Sequence, residues 1–184
     1  ATPPFSPRRT RAGRTRSSTP TKGSTNNTFG SPIDGVDVTQ THTVGAWAWR
    51  DVGDERHIGN AVLNFRPDGA DVTEVRAIVT TQACNQCHNP LKAHDGLRRD
   101  ADLCVTCHSQ GQVDPDTGNS IDMFSMVHKI HRGESLYAQP FQIIGEETED
   151  YSTVAYPQPL QQCEACHKGQ NGDVWKKMPT KVNC

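Results

Sequence analysis

The chain has 184 residues, 33% of them hydrophobic and 22% charged, with a formal net charge of -2. That apolar share is too small for the usual hydrophobic core of a chain this long, so something other than side chains is expected to fill part of the interior. No run approaches the 18 apolar residues of a transmembrane helix, and no secretory h-region precedes the first element, which leaves a processed or a cytoplasmic chain.

Charge is unevenly spread. Residues 1–30 hold six basic side chains (Arg8, Arg9, Arg11, Arg14, Arg16 and Lys22) and no acid, so thirteen basic residues face all 21 acidic ones over the rest. Residues 1–33, rich in Pro, Ser, Thr and Arg without apolar periodicity, cannot bury enough surface to fold alone and are expected to form a disordered basic arm. Charge runs usually face water, so the arm is read as a tether rather than as a nucleic-acid or anionic-surface element.

Residues 34–82 predict a small β-rich segment. The stretch "AVLNFRPDGADVTEVRAIVT", residues 61–80, reads as two short strands joined by a Pro-Asp-Gly turn, and "DVTQTHTVGAWAW" offers a third.

Seven cysteines follow, at 84, 87, 104, 107, 163, 166 and 184, and the first six form three copies of one pattern: "CNQCH", "CVTCH" and "CEACH". Without the histidines, Cys84, Cys87, Cys104 and Cys107 have a spacing that zinc sites also use. Histidine occupies 8 of 184 positions, so its chance appearance after all three pairs has a probability on the order of one in ten thousand. Zinc does not require it there, whereas c-type haem attachment does: the two thiols add to the porphyrin vinyl groups and the next imidazole reaches the iron. Three covalently attached c-type haems are expected, on Cys84 and Cys87, Cys104 and Cys107, and Cys163 and Cys166, with proximal ligands His88, His108 and His167.

Each iron accepts a second axial ligand, and five histidines remain: His42, His57, His94, His128 and His131. The segment "SIDMFSMVHKIHRG" predicts a helix, with Ser120 or Asp122 as N-cap, Gly133 as stop, and Ile121, Phe124, His128 and His131 on one stripe. Histidines three apart leave one helical face about 5–6 Å apart at Cβ and cannot clamp one iron from opposite sides. They are expected to reach two irons. His94, six residues past His88, is the expected third distal ligand; His42 and His57 read as surface or strand residues, and Met123, Met126 and Met178 as packing.

The "VDPDTGNS" and "YPQP" stretches break the chain into loops and short helices. The first cysteines of the motifs fall at 84, 104 and 163, and Cys184 follows at a similar short interval to the first. It stands where a fourth CxxCH would begin, so residues 83–184 are expected to form a trihaem domain of a longer cytochrome, with Cys184 the candidate site of a fourth haem. The alternatives for Cys184 are a free thiol, an intermolecular disulfide or a one-cysteine attachment.

The run from "FRPDGADVTEVRAIVTTQACNQCHNPLKAHDGLRRDADLCVTCHS" through "VDPDTGNSIDMFSMVHKIHRGESL" to "YPQPLQQCEACHKG" and Trp175 resembles the start of a pentahaem domain from the OmcA/MtrC-type decahaem cytochromes of metal-reducing bacteria. The resemblance implies bis-histidine haems of low potential, with His94, His128 and His131 at the distal positions. It also implies a periplasmic, cell-surface or extracellular setting. Partners would be other multihaem cytochromes or redox subunits, an outer-membrane porin-cytochrome complex or an extracellular acceptor. The fold class expected is a multihaem cytochrome c: a small β-rich segment, then short helices and loops wrapped around stacked haems, with little regular secondary structure. The function expected is electron transfer without bond chemistry, and no catalytic residue is assigned. A multihaem reductase with one open haem and a wire-forming assembly subunit are the rival readings.

Overall fold

The computed structural model describes residues 35–138, 140–145 and 147–178. The basic arm of residues 1–33 and Cys184 lie outside them. The elements all fall within one unit, Asp37–Cys184; Ala1–Val36 form another.

Two antiparallel strands open the unit, β1 (His42–Val52) and β2 (Glu55–Phe65), in register from His42 opposite Phe65 to Val52 opposite Glu55. Gly53 takes φ +61° at the first central position of the two-residue loop, where a type II′ turn requires positive φ. The pattern alternates: Gly45 and Trp47 of β1 and Ile58, Asn60 and Val62 of β2 share the half-buried face.

This corrects the expected hairpin. "AVLNF" pairs with "HTVGA" before it, not with "TEVRAIVT" after it. The Pro-Asp-Gly turn does form: Gly69 N–H bonds the Arg66 carbonyl at 3.0 Å, and Arg66 pairs with Asp68. The chain beyond it runs elsewhere. The Ile78 and Ala77 carbonyls accept from the N–H groups of Gly169 (3.1 Å) and Asn171 (2.7 Å), and the Val75 carbonyl accepts from the Asn171 amide at 3.0 Å. An extended segment needs backbone partners, and this one finds them in a loop ninety residues on.

The hairpin's half-buried face rests on the segment that carries the second CxxCH. A Cβ at Gly45 would lie 2.5 Å from Leu103 Cδ1, so glycine is what allows the approach. The Asn60 side chain donates to the Leu97 carbonyl (2.9 Å) and accepts from Arg99 N–H (2.6 Å), and the Arg98 guanidinium lies 4.4 Å above the Trp47 ring.

Short helices follow: α1 (Thr81–Cys84), α2 (Ala101–Cys104), α3 (Met123–Arg132) and α4 (Val174–Lys177), with 3-10 turns at Gly133–Ser135 and Cys163–Ala165. A small hairpin, β3 (Gln142–Ile144) and β4 (Thr148–Asp150), lies between α3 and the third motif. The caps come from short polar side chains: Thr80 accepts from Ala83 N–H, Asp100 from Asp102 N–H and Asp122 from Ser125 N–H. Gly133, φ +38°, ends α3, and a Cβ there would strike the Val154 carbonyl.

Among the described residues the buried apolar side chains are Ala83, Ala101, Leu103 and Phe141. Four such residues cannot hold a fold of this length by burial alone. Asp114, 1% exposed, knots one polar loop: it accepts from the Thr117 hydroxyl (2.6 Å) and from Ile144 N–H on β3 (2.9 Å). The observed class is the expected one, small hairpins and a few short helices with little regular secondary structure.

Candidate haem sites

The three CxxCH loops have one backbone geometry. In each, the second cysteine's N–H bonds the carbonyl of the first (Cys84, Cys104 or Cys163, all at 3.2 Å), and the histidine N–H bonds that same carbonyl (His88 at 3.0, His108 at 2.9, His167 at 3.0 Å). A single helical turn thus places two thiols and an imidazole in fixed order. Thr81 joins two of the loops, its hydroxyl accepting from Ala101 N–H at 2.9 Å.

Each of the three histidines faces one more. His88 meets His131 with ring centres 5.9 Å apart and planes at 84°; His108 meets His94 at 5.9 Å and 25°; His167 meets His128 at 6.1 Å and 31°. Metal-imidazole bonds are about 2.0–2.1 Å long, as at zinc, and a ring centre lies roughly one bond length behind its nitrogen. Two such ligands on opposite sides of one metal put their ring centres about 6 Å apart.

Aromatic packing also covers about 4.5–7 Å, so distance alone does not decide. The second nitrogen does more. Nδ1 of His108 meets the Ile121 carbonyl at 2.7 Å, Nδ1 of His131 the Val127 carbonyl at 2.8 Å, and Nδ1 of His128 the Phe124 carbonyl. A carbonyl fixes a proton on Nδ1 and leaves the Nε2 lone pair for a metal, the usual support of a ligating histidine. His167 Nδ1 is buried without a partner of bonding geometry.

Helix α3 touches all three sites. Its first residue, Met123, donates to the His108 carbonyl at 2.9 Å; His128 and His131 then face His167 and His88. His94 gets its direction from a tight turn in which it and Asp95 adopt positive φ, +51° and +58°, with Ala93 and Arg98 bridged beneath. Histidine is among the few non-glycine types enriched in that region.

Desolvation, then the His128 ring, lowers the pKa of His167; desolvation, then Arg98 and His108, lowers that of His94. Both shifts favour the neutral imidazole, the form that binds metal. Burial pushes the Cys104 thiol up to about 11 and also raises Cys84, on which Cys166 acts next. Among the described residues no three Cys, His, Asp or Glu side chains gather to hold a metal ion. A cavity of about 260 Å³ opens beside His167 between Lys168, Gly172 and Trp175. Paired imidazoles, paired thiols and a sparse core fit covalently attached haem.

His42 and His57 face no other histidine: the first meets the Asp37 carbonyl at 3.0 Å, and the second stands exposed near Glu55. Met178 is 70% exposed. Tyr156 was not legible as a site residue. Its ring packs at 90° on His131, centres 5.4 Å apart, and its hydroxyl accepts from the Gln158 amide at 2.9 Å. "YPQP" reads as a chain breaker, and nothing local ties its tyrosine to a histidine 25 residues away.

Residues 76–183 match the family described as outer membrane cytochrome MtrC/MtrF-like, domains II/IV. The chain belongs to this family. Among MtrC/MtrF-like relatives, the multiheme cytochrome MtrC of Shewanella baltica (strain OS185) is 29% identical over 132 residues, 68% of this chain and 16% of that protein. The crystal structure of the outer membrane decaheme cytochrome OmcA superposes with a TM-score of 0.66 at 32% identity, over 77% of this chain and 23% of that one. The chain therefore spans about a sixth of the curated relative's length. Membership in the MtrC/MtrF-like family of cytochromes implies haem c as the cofactor. Among the described residues no helix is long and apolar enough to cross a membrane.

Proposed function

We propose that this chain binds three haems c, on Cys84 and Cys87, Cys104 and Cys107, and Cys163 and Cys166. The axial pairs are His88 with His131, His108 with His94, and His167 with His128. Through them it conducts electrons as a segment of an outer-membrane or cell-surface conduit. The observation that carries the reading is that each CxxCH histidine faces one further histidine at the spacing two axial ligands require. Cys184 remains the candidate for a fourth attachment.

Haem c supplies a one-electron iron couple when bound. The chain's own residues do the rest. Carbonyls of Phe124, Val127 and Ile121 hold three imidazoles in one tautomer, so little rearrangement is needed when the iron changes charge. Desolvation favours the neutral form of His94 and His167. His128 and His131 fix two sites on one short helix, which sets their separation independently of loop motion.

Histidine on both faces leaves no position for a substrate at iron, so the chain acts as a carrier, not as a reductase. Its partners are then other multihaem cytochromes or redox subunits, an outer-membrane porin-cytochrome complex or an extracellular acceptor. The name of the OmcA relative, an outer membrane cytochrome, supports that setting. Intact mass together with a pyridine haemochrome assay tests the reading: three haems per chain on the CxxCH pairs are expected, and a colourless, zinc-loaded protein would overturn it.

A further inference from the structure

Resting on that ligand assignment, we propose that Tyr156 is a positioning residue that sets the ring orientation of His131 and so makes the His88 site electronically distinct from the other two. His128 and His131 lie on one helix and use the same bond, Nδ1 to the carbonyl four residues back. Their facing angles nevertheless differ: 84° between His131 and His88 but 31° between His128 and His167, and the third pair, His94 with His108, is also near parallel at 25°.

The two helix histidines differ in their neighbours. Phe124, one turn earlier on α3, meets His128 at 6.0 Å and 76°. Tyr156 comes from a separate loop and meets His131 closer, at 5.4 Å and 90°. It is half-buried and held at its far end by the Gln158 amide. The tyrosine thus sets its ring against one proposed axial histidine from outside the helix.

Ring orientation has a direct electronic reading. Each imidazole donates into one of two iron π orbitals. Parallel planes act on the same orbital and split the pair, whereas crossed planes act on both and bring the pair toward degeneracy. In the ferric low-spin state the crossed arrangement gives an EPR signal of large gmax and the parallel arrangement a rhombic one. The His88 site alone is expected to give the first kind.

EPR of the oxidised holoprotein tests this, with haem content and optical spin state read on the same samples. The native protein should show one large-gmax component to two rhombic ones. Tyr156→Phe keeps the ring and should keep that signal. Tyr156→Leu and Tyr156→Met remove the flat ring and should shift the component toward the rhombic envelope with haem content unchanged. A large-gmax component that survives both substitutions, or one absent from a native sample whose haems are all low spin, overturns the role of Tyr156. A native sample containing a high-spin haem instead overturns the ligand assignment beneath it.

Discussion

His128 and His131 stand three residues apart on α3 and face two different histidines, His167 and His88. One ten-residue helix, capped by Asp122 and stopped by Gly133, therefore completes two candidate sites, and its first backbone N–H touches the third.

Replacing either helix histidine should open one site only. His128→Ala and His131→Ala are each expected to turn about one third of the haem high spin, and the double variant about two thirds. Optical and EPR spin quantitation reads this directly. A double variant no worse than either single one would mean that both serve one iron.

Asn60→Ala removes two hydrogen bonds that tie β2 to Leu97 and Arg99, just past the His94 turn. A loss of about 1–3 kcal/mol is expected, from two part-buried backbone groups left unpaired. Denaturant titration of the holoprotein measures it. The high-spin fraction should rise at the His108 site first, because that turn aims His94.

Gly169→Ala should be costly because its Cβ would lie 2.1 Å from the Ala77 carbonyl, where the third motif docks on residues 75–78. The expected cost is about 1–3 kcal/mol. Gly59→Ala, with nothing within 4 Å, is the control and should be neutral or stabilising by up to about 1 kcal/mol. Equal effects in parallel melts would contradict the docking.

Asp114 gives the fold an acid dependence. The Thr117 hydroxyl first, then Ile144 N–H, hold its carboxyl below the usual range. A depressed carboxylate pKa contributes stability above its unfolded value and loses it as pH falls through the folded one. Asp114→Asn should lower the melting temperature at neutral pH, and its gap to native protein should narrow as pH falls below 3.8. An undiminished gap in calorimetric scans across that range would count against the carboxylate's role.

The sites were legible to different degrees for physical reasons. Cys84, Cys87 and His88 and their two repeats announce themselves because attachment chemistry demands adjacent residues. The ends of α3 were readable because Asp122 and Gly133 act locally. The proposed distal histidines could be named only by subtraction and resemblance; which histidine faces which is a tertiary fact, visible in His131 meeting His88 across more than forty residues. The β-hairpin was misplaced because Pro67, Asp68 and Gly69 make a sound turn whose far side, Val75 to Ile78, is claimed by Gly169 and Asn171. Local pattern carries no record of that competition. Tyr156 stayed hidden for the same reason.

Every CxxCH iron in this chain is expected to carry histidine on both faces. Near-infrared magnetic circular dichroism of the oxidised holoprotein, normalised to haem content, tests it most directly. The charge-transfer band of bis-imidazole low-spin iron is expected to represent all three haems. A methionine-ligated or high-spin band representing about one third of the haem or more would contradict it.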